Sequence, residues 1–133
     1  MTVCFADTFL FLAWWNRRDG AHSRVQEFLQ TFDGRLLTTR WILMEVADAF
    51  AGSHMRRQVR VLFSEMESDE QITIVEPTMT LYRRGLSLYD SRPDKEWSLT
   101  DCISFVVMAD EGLTEALTGD RHFEQAGFTA LLV

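Results

Sequence analysis

Four carboxylates stand where a chain can use them to hold a hard cation: Asp7, Glu45, Asp101 and Asp120. Asp7 closes the apolar run Val3-Cys4-Phe5-Ala6, and Asp120 follows Ala116-Leu117-Thr118 after a single glycine. Glu45 sits between Met44 and Val46 in a segment of helical periodicity, and Asp101 lies three residues after Ser98 at the head of an almost wholly apolar stretch. A carboxylate in apolar company needs a partner. Four that converge without a cation repel one another and force some to keep their protons, whereas a divalent ion bound through oxygen removes that cost. Mg²⁺ or Mn²⁺ is the expected occupant. His22, His54 and His122 are scattered and the two cysteines are far apart, so the sequence lacks the ligand spacing of a zinc site.

Taken singly, three of the four have a structural explanation. Asp7 and Asp120 are suited to cap the helices that follow them, and Ser98 with Asp101 has the Ser-x-x-Asp form of a capping box. Glu45 has no such role, and it is the set of four that argues for a metal site.

The elements that position these acids follow from the hydrophobic pattern. Val3–Ala6 reads as a buried strand, followed by an apolar helix over Thr8–Trp15, a break at Asn16–Gly20 and a second helix over Ala21–Phe32 that Gly34 ends. Leu36–Thr38 predicts a second strand. Trp41–Ala51 and Met55–Glu67 carry the 3.6-residue period and pair as a helical hairpin. A third strand is expected over Ile72–Val75, then a helix from near Thr78, a loop at Ser91–Glu96 and a central helix over Leu99–Glu111. Ala116–Thr118 is the fourth strand, Arg121–Gln125 a short helix and Phe128–Val133 the fifth strand. Strands separated by helices, with connections too long for hairpins, imply an α/β fold with a parallel sheet covered on both faces. In such sheets ligands bind beyond the carboxyl ends of the strands, where Asp7 and Asp120 fall.

Composition sets the outer limits. The 133 residues suit one domain, 1–133, and 47% hydrophobic residues suffice for a core. No apolar run reaches the roughly 18 residues of a spanning helix, and Met1–Trp15 lacks a basic start, so a soluble cytoplasmic protein with no membrane partner is expected. Cys4 and Cys102 are expected to be two buried thiols. A net charge of −7 works against gripping nucleic acid with the whole surface, although two bound divalent ions would leave −3. Twelve of the thirteen cations are arginine.

The residues themselves resemble a known family. Ala6-Asp7-Thr8, Asp19 and His22 before a helix, Glu45 at the end of Thr38-Thr39-Arg40-Trp41-Ile42-Leu43-Met44-Glu45, Ser98-Leu99-Thr100-Asp101, and Leu117-Thr118-Gly119-Asp120-Arg121-His122-Phe123 occur in the order of a PIN domain. The chain is most similar to the VapC-type toxin ribonucleases of toxin-antitoxin systems, and the resemblance covers it from about Val3 onward. It implies a three-layer α/β/α fold with a five-stranded parallel sheet and a Mg²⁺- or Mn²⁺-dependent endoribonuclease site built from Asp7, Glu45, Asp101 and Asp120. Thr8, Ser98 and Thr118 match hydroxyl positions that support the metal shell, or serve as caps and strand-end hydroxyls. The implied partners are an RNA substrate, a cognate antitoxin protein and a second copy of the chain in a homodimer. In that family the early helices and the helical hairpin make the dimer and antitoxin contacts.

Other residues are weighed against ordinary roles. Arg56, Arg57 and Arg60 open the expected fourth helix; they either track phosphate or pair with Glu65 and Glu67. Arg121 and His122 flank Asp120 and either reach RNA or mark an exposed turn. Trp14, Trp15, Trp41 and Trp97 are assigned to core and interface rather than to base stacking, with the adjacent Trp14 and Trp15 hard to bury together. Two other functions compete. A PIN-like scaffold acting by binding alone predicts loss of one or more acids, and all four are present. A phosphoacceptor receiver domain needs an acidic neighbour beside Asp7 and a lysine at a late strand end, yet the one lysine is Lys95 in a loop.

Overall fold

The computed structural model describes residues 2–133. Its chain order is β1 (Thr2–Ala6), α1 (Thr8–Trp15), α2 (His22–Thr31), β2 (Gly34–Thr39), α3 (Arg40–Phe50), α4 (Val59–Ser68), β3 (Ile72–Val75), α5 (Met79–Ser91), α6 (Leu99–Asp110), β4 (Glu115–Leu117), α7 (Arg121–Gln125) and β5 (Thr129–Ala130). The five strands form one all-parallel sheet in the order β3-β2-β1-β4-β5.

That order follows from a reversal. The chain steps outward from β1 to β2 and β3, then crosses back to β4 on the other side of β1 and on to β5. Right-handed crossovers, which nearly all parallel units adopt, put the helices of the two directions on opposite faces. Accordingly α1 packs with α2 and α3, while α6 packs with α5 and α7. The buried centre is made by Phe5, Leu10, Phe11, Leu43, Val46, Ile103, Met108, Leu117 and Phe123. As its apolar sequence predicts, α6 is central, burying Cys102, Ile103, Ser104, Phe105, Val107 and Met108. Both cysteines are free and buried. Among the described residues no helix is long and apolar enough to cross a membrane.

Several boundaries differ from the sequence expectation. Gly34 opens β2 instead of ending a helix, because strand β1 and the Phe32 ring close on it: a Cβ there would meet the Thr2 carbonyl oxygen at 2.6 Å and the ring at 2.7 Å. The fourth helix begins at Val59, not Met55, since residues 51–58 form turns held by Ser53, whose hydroxyl donates to the Phe50 carbonyl and accepts from the Met55 amide. Arg56 and Arg57 therefore precede α4, and Arg56 does not share a helical face with Arg60. Nor do Glu65 and Glu67 neutralise them: Glu67 pairs with Arg40, which also grips Glu76, while Arg56 donates to the Ala51 carbonyl. The last strand shrinks to Thr129–Ala130 because the chain turns directly after pairing with Glu115 and Ala116.

Trp14 and Trp15 are both half-buried, in contact with each other at 6.0 Å between ring centroids. Trp15 also meets Phe11 at 5.2 Å and Phe63 at 6.2 Å, so α4 supplies the surface that one helix turn lacks. Trp97 is buried, with its indole N–H satisfied by Gln125.

Candidate functional site

The strand order reverses at β1, and the crevice at such a switch point, beyond the carboxyl ends of β1 and β4, is where parallel sheets bind ligands. The register pairs Ala6 with Leu117, so the next residues, Asp7 and Thr118, leave the sheet side by side. The Thr118 hydroxyl donates to Asp7 Oδ2 at 2.8 Å, and Thr118 Oγ1 accepts from the Asp120 backbone N–H at 2.9 Å. One buried hydroxyl thus ties the end of the first strand to the loop after the fourth.

Asp7 and Asp120 each cap a helix, as their positions predict. Asp7 accepts from the Leu10 amide at the start of α1, and Asp120 Oδ1 accepts from the His122 amide at the start of α7. Ser98 and Asp101 form the full capping box of α6, the hydroxyl accepting from the Asp101 amide at 3.0 Å and Asp101 Oδ2 from the Ser98 amide at 3.1 Å. Capping and site building do not exclude each other. A helix N-terminus carries partial positive charge that stabilises an anion there, and a capping acid has lone pairs left for a cation.

Tertiary packing draws these caps together. Phe105, one turn beyond Asp101, meets Trp97 at 5.1 Å, Phe123 at 5.0 Å and Phe128 at 5.8 Å, and Phe123 reaches Phe5 at 6.1 Å. This aromatic cluster clamps α6 against α7 and β1, bringing the start of α6 to the start of α7. His122 Nδ1 then lies 3.1 Å from Asp101 Oδ2 and 3.5 Å from Asp120 Oδ1. Among the described residues, the group offering ligand atoms all within 4.8 Å of one another is Asp101, Asp120 and His122, each partly exposed to solvent.

The four acids therefore do not stand equally. Asp101 and Asp120 offer ligand atoms within 4.8 Å of each other, with the His122 ring beside both; Asp7 is joined to Asp120 through Thr118. Glu45 is joined more remotely: Thr8, the residue after Asp7, donates its hydroxyl to Glu45 Oε1. Burial pushes the Asp7 carboxyl up to about 8, and the charges of Asp120 and Asp101 add to the rise against the bonds from Thr118 and the Leu10 amide.

From sequence, His122 is a residue that reaches RNA or marks an exposed turn; in the structure its ring lies in the acid group. A signal was available. When Asp120 caps α7, its bond to the amide two residues on bends the first turn back, so the side chain at that position returns beside the cap. His22, by contrast, is taken up by structure, its Nδ1 lying 2.8 Å from the Ala13 carbonyl oxygen.

No family model and no curated protein matches the sequence. Solved structures do. VapC20 of Mycobacterium tuberculosis, described as a sarcin-ricin loop cleaving toxin, is similar with a TM-score of 0.86 and 21% identity, over 99% of this chain and 100% of its own. VapBC2 of Rickettsia felis, solved bound to a DNA fragment from its promoter, gives 0.68 at 11% identity over 97% of both chains. A toxin-antitoxin complex from Klebsiella pneumoniae gives 0.62 at 17% identity over 89% of this chain and 87% of that one. At these identities the likeness is one of fold.

Proposed function

We propose that this chain, whose parallel sheet and flanking helices form the PIN fold, is a divalent-metal-dependent endoribonuclease and the toxin of a toxin-antitoxin pair. The observation that carries the reading is the meeting of Asp101 and Asp120 beside buried Asp7, at the switch point where such a sheet binds its ligand. The donor set fits Mg²⁺ or Mn²⁺: carboxylate oxygens from separate elements, anionic and partly open to solvent, with both cysteines buried away as free thiols.

Asp7, Glu45, Asp101 and Asp120 are the residues assigned to hold the ion or to orient the water it binds. The bound ion supplies a water of lowered pKa and electrostatic stabilisation of the scissile phosphate. The chain itself does the positioning. Thr118 fixes the Asp7 carboxylate, the capping box fixes Asp101, and the helix turn fixes Asp120. Thr8 aims Glu45 toward the same edge of the sheet. No protein nucleophile is required in this reading, because a water activated by the ion would be the attacking group.

The substrate assigned here is structured RNA, and the likeness in fold to a toxin that cleaves the sarcin-ricin loop makes that loop the first to try. A cytoplasmic single-domain protein, a homodimer and a cognate antitoxin complete the reading. The groove between α1, the turn before α2 and the start of α4, lined by Trp14, Trp15, Arg17, His54 and Leu62, suits an antitoxin segment. The test is cleavage of a pool of structured RNAs, with a sarcin-ricin loop oligonucleotide included, by wild type and Asp101→Asn in Mg²⁺, Mn²⁺ or EDTA. Metal-dependent cutting lost in the variant supports the nuclease. Absence of cutting by folded, partner-free wild type in either metal turns the reading toward a scaffold that acts by binding.

A further inference from the structure

We propose that His122 is itself a metal ligand, so that the site takes a Mn²⁺-class first-row ion in preference to Mg²⁺. The inference rests on the metal-dependent reading above and adds to it a nitrogen donor that the four acids do not supply.

Three observations support it. The ring nitrogen that faces the acids is Nδ1, 3.1 Å from Asp101 Oδ2 and 3.5 Å from Asp120 Oδ1. Neighbouring ligands of an octahedral ion bound at about 2.1 Å lie about 3.0 Å apart, so the first pair already has the spacing of two such ligands and the second needs a small contraction. Next, the imidazole is held in place. The His122 amide donates to Asp120 Oδ1 at 2.9 Å, and the adjacent Phe123 is fully buried between Phe5 and Phe105. Finally, the ring and the two carboxylates beside it are all partly open to solvent, so an ion can reach them.

The choice of metal follows from donor chemistry. Carboxylate oxygens serve Mg²⁺, Ca²⁺ and Mn²⁺ alike, whereas a neutral imidazole adds affinity for first-row transition ions and little for Mg²⁺, which holds its waters tightly. Two aspartates and one histidine therefore separate Mn²⁺ from Mg²⁺ where four carboxylates would not. The competing role for His122 is a donor that only orients the Asp101 carboxylate, as outer hydrogen-bond partners of metal ligands do.

The experiment is Mn²⁺ titration of the full-length protein, free of RNA, followed by pulsed electron paramagnetic resonance of the bound ion. The expected spectrum shows modulation from a directly bound nitrogen, and it changes when the histidines carry ¹⁵N, a comparison that needs no variant. His122→Asn, which keeps a polar atom near the Nδ1 position, should abolish the modulation and weaken Mn²⁺ binding about tenfold. Its Mg²⁺ affinity, read by competition, should move by less than about threefold. Asp101→Asn identifies the site. Mn²⁺ binding that needs Asp101 but shows no nitrogen overturns the inference and leaves the nuclease reading standing. No Asp101-dependent binding of either ion overturns both.

Discussion

Thr118 donates its hydroxyl to Asp7 Oδ2 across 111 residues of sequence, and it does so because β1 and β4 are neighbours in register. The Thr118 hydroxyl oxygen in turn accepts from the Asp120 amide, so a single side chain sets the relative position of two acids that the chain order keeps far apart. Its removal should act on the site and the fold together.

Thr118→Val keeps the shape and deletes the hydroxyl, leaving Asp7 Oδ2 and the Asp120 amide without their shared partner. A destabilisation of about 1–3 kcal/mol is expected from the buried groups left unpaired. RNA cleavage should fall at least about tenfold through misplacement of Asp7. Thr118→Ser should recover most of both. Thermal melts and cleavage rates of the three proteins check this, and a Val variant with wild-type rate and melting temperature would contradict the role.

Asp101→Asn should reduce cleavage by at least about 10³-fold, the size of effect expected when a charged group stabilising the transition state is lost. Its cost to the fold should be small, about 1 kcal/mol or less, because the amide oxygen can still accept from the Ser98 amide and close the capping box. Unchanged melting with lost cutting separates chemistry from folding; an active variant would remove Asp101 from the site.

The raised Asp7 carboxyl gives a signed pH dependence. Between its ordinary value near 4 and about 8, the folded protein binds a proton that the unfolded chain has released, so metal-free stability falls as pH rises through that window. Asp7→Asn should flatten this decline. Adding Mn²⁺ should stabilise wild type far more at about pH 8 than at about pH 5, since the ion competes with that proton. Melts in EDTA and in Mn²⁺ across the range check both signs, and metal-free stability that climbs from about pH 5 to about pH 8 would contradict them.

Gly85 is where α5 lies against α6. A Cβ there would stand 2.3 Å from Ile103 Cγ1 and 3.2 Å from the Ile103 backbone. Gly85→Ala should therefore destabilise by about 1–3 kcal/mol, although alanine is the better helix former by about 1 kcal/mol. Ile103→Val in the same chain should relieve part of the loss. A chemical denaturation series reads both, and an alanine variant more stable than wild type would show that the helices part freely.

Much of the architecture was legible because local pattern carried it. Val3–Ala6 ending at Asp7, the apolar helix after Ser98 and the strand before Asp120 each announce themselves by periodicity and by the cap that follows, and residue order suffices to predict a covered parallel sheet. Gly34, the start of α4 and the length of the last strand depart from the local pattern. In those places close approach of distant segments, or a turn closed by one serine hydroxyl, outweighs the local pattern.

The sequence by itself determined which residues are acidic, which of them stand at helix starts and strand ends, and that helical segments separate the strands. Only the tertiary structure decided who meets whom. The β1–β4 register sets Asp7 against Thr118, and the Phe105 cluster presses α6 on α7 so that Asp101 comes within 4.8 Å of Asp120. The turn of α7 brings His122 into the group that sequence order gave to carboxylates alone. Proximity of this kind is a product of packing summed over the whole core, and no local stretch of residues encodes it.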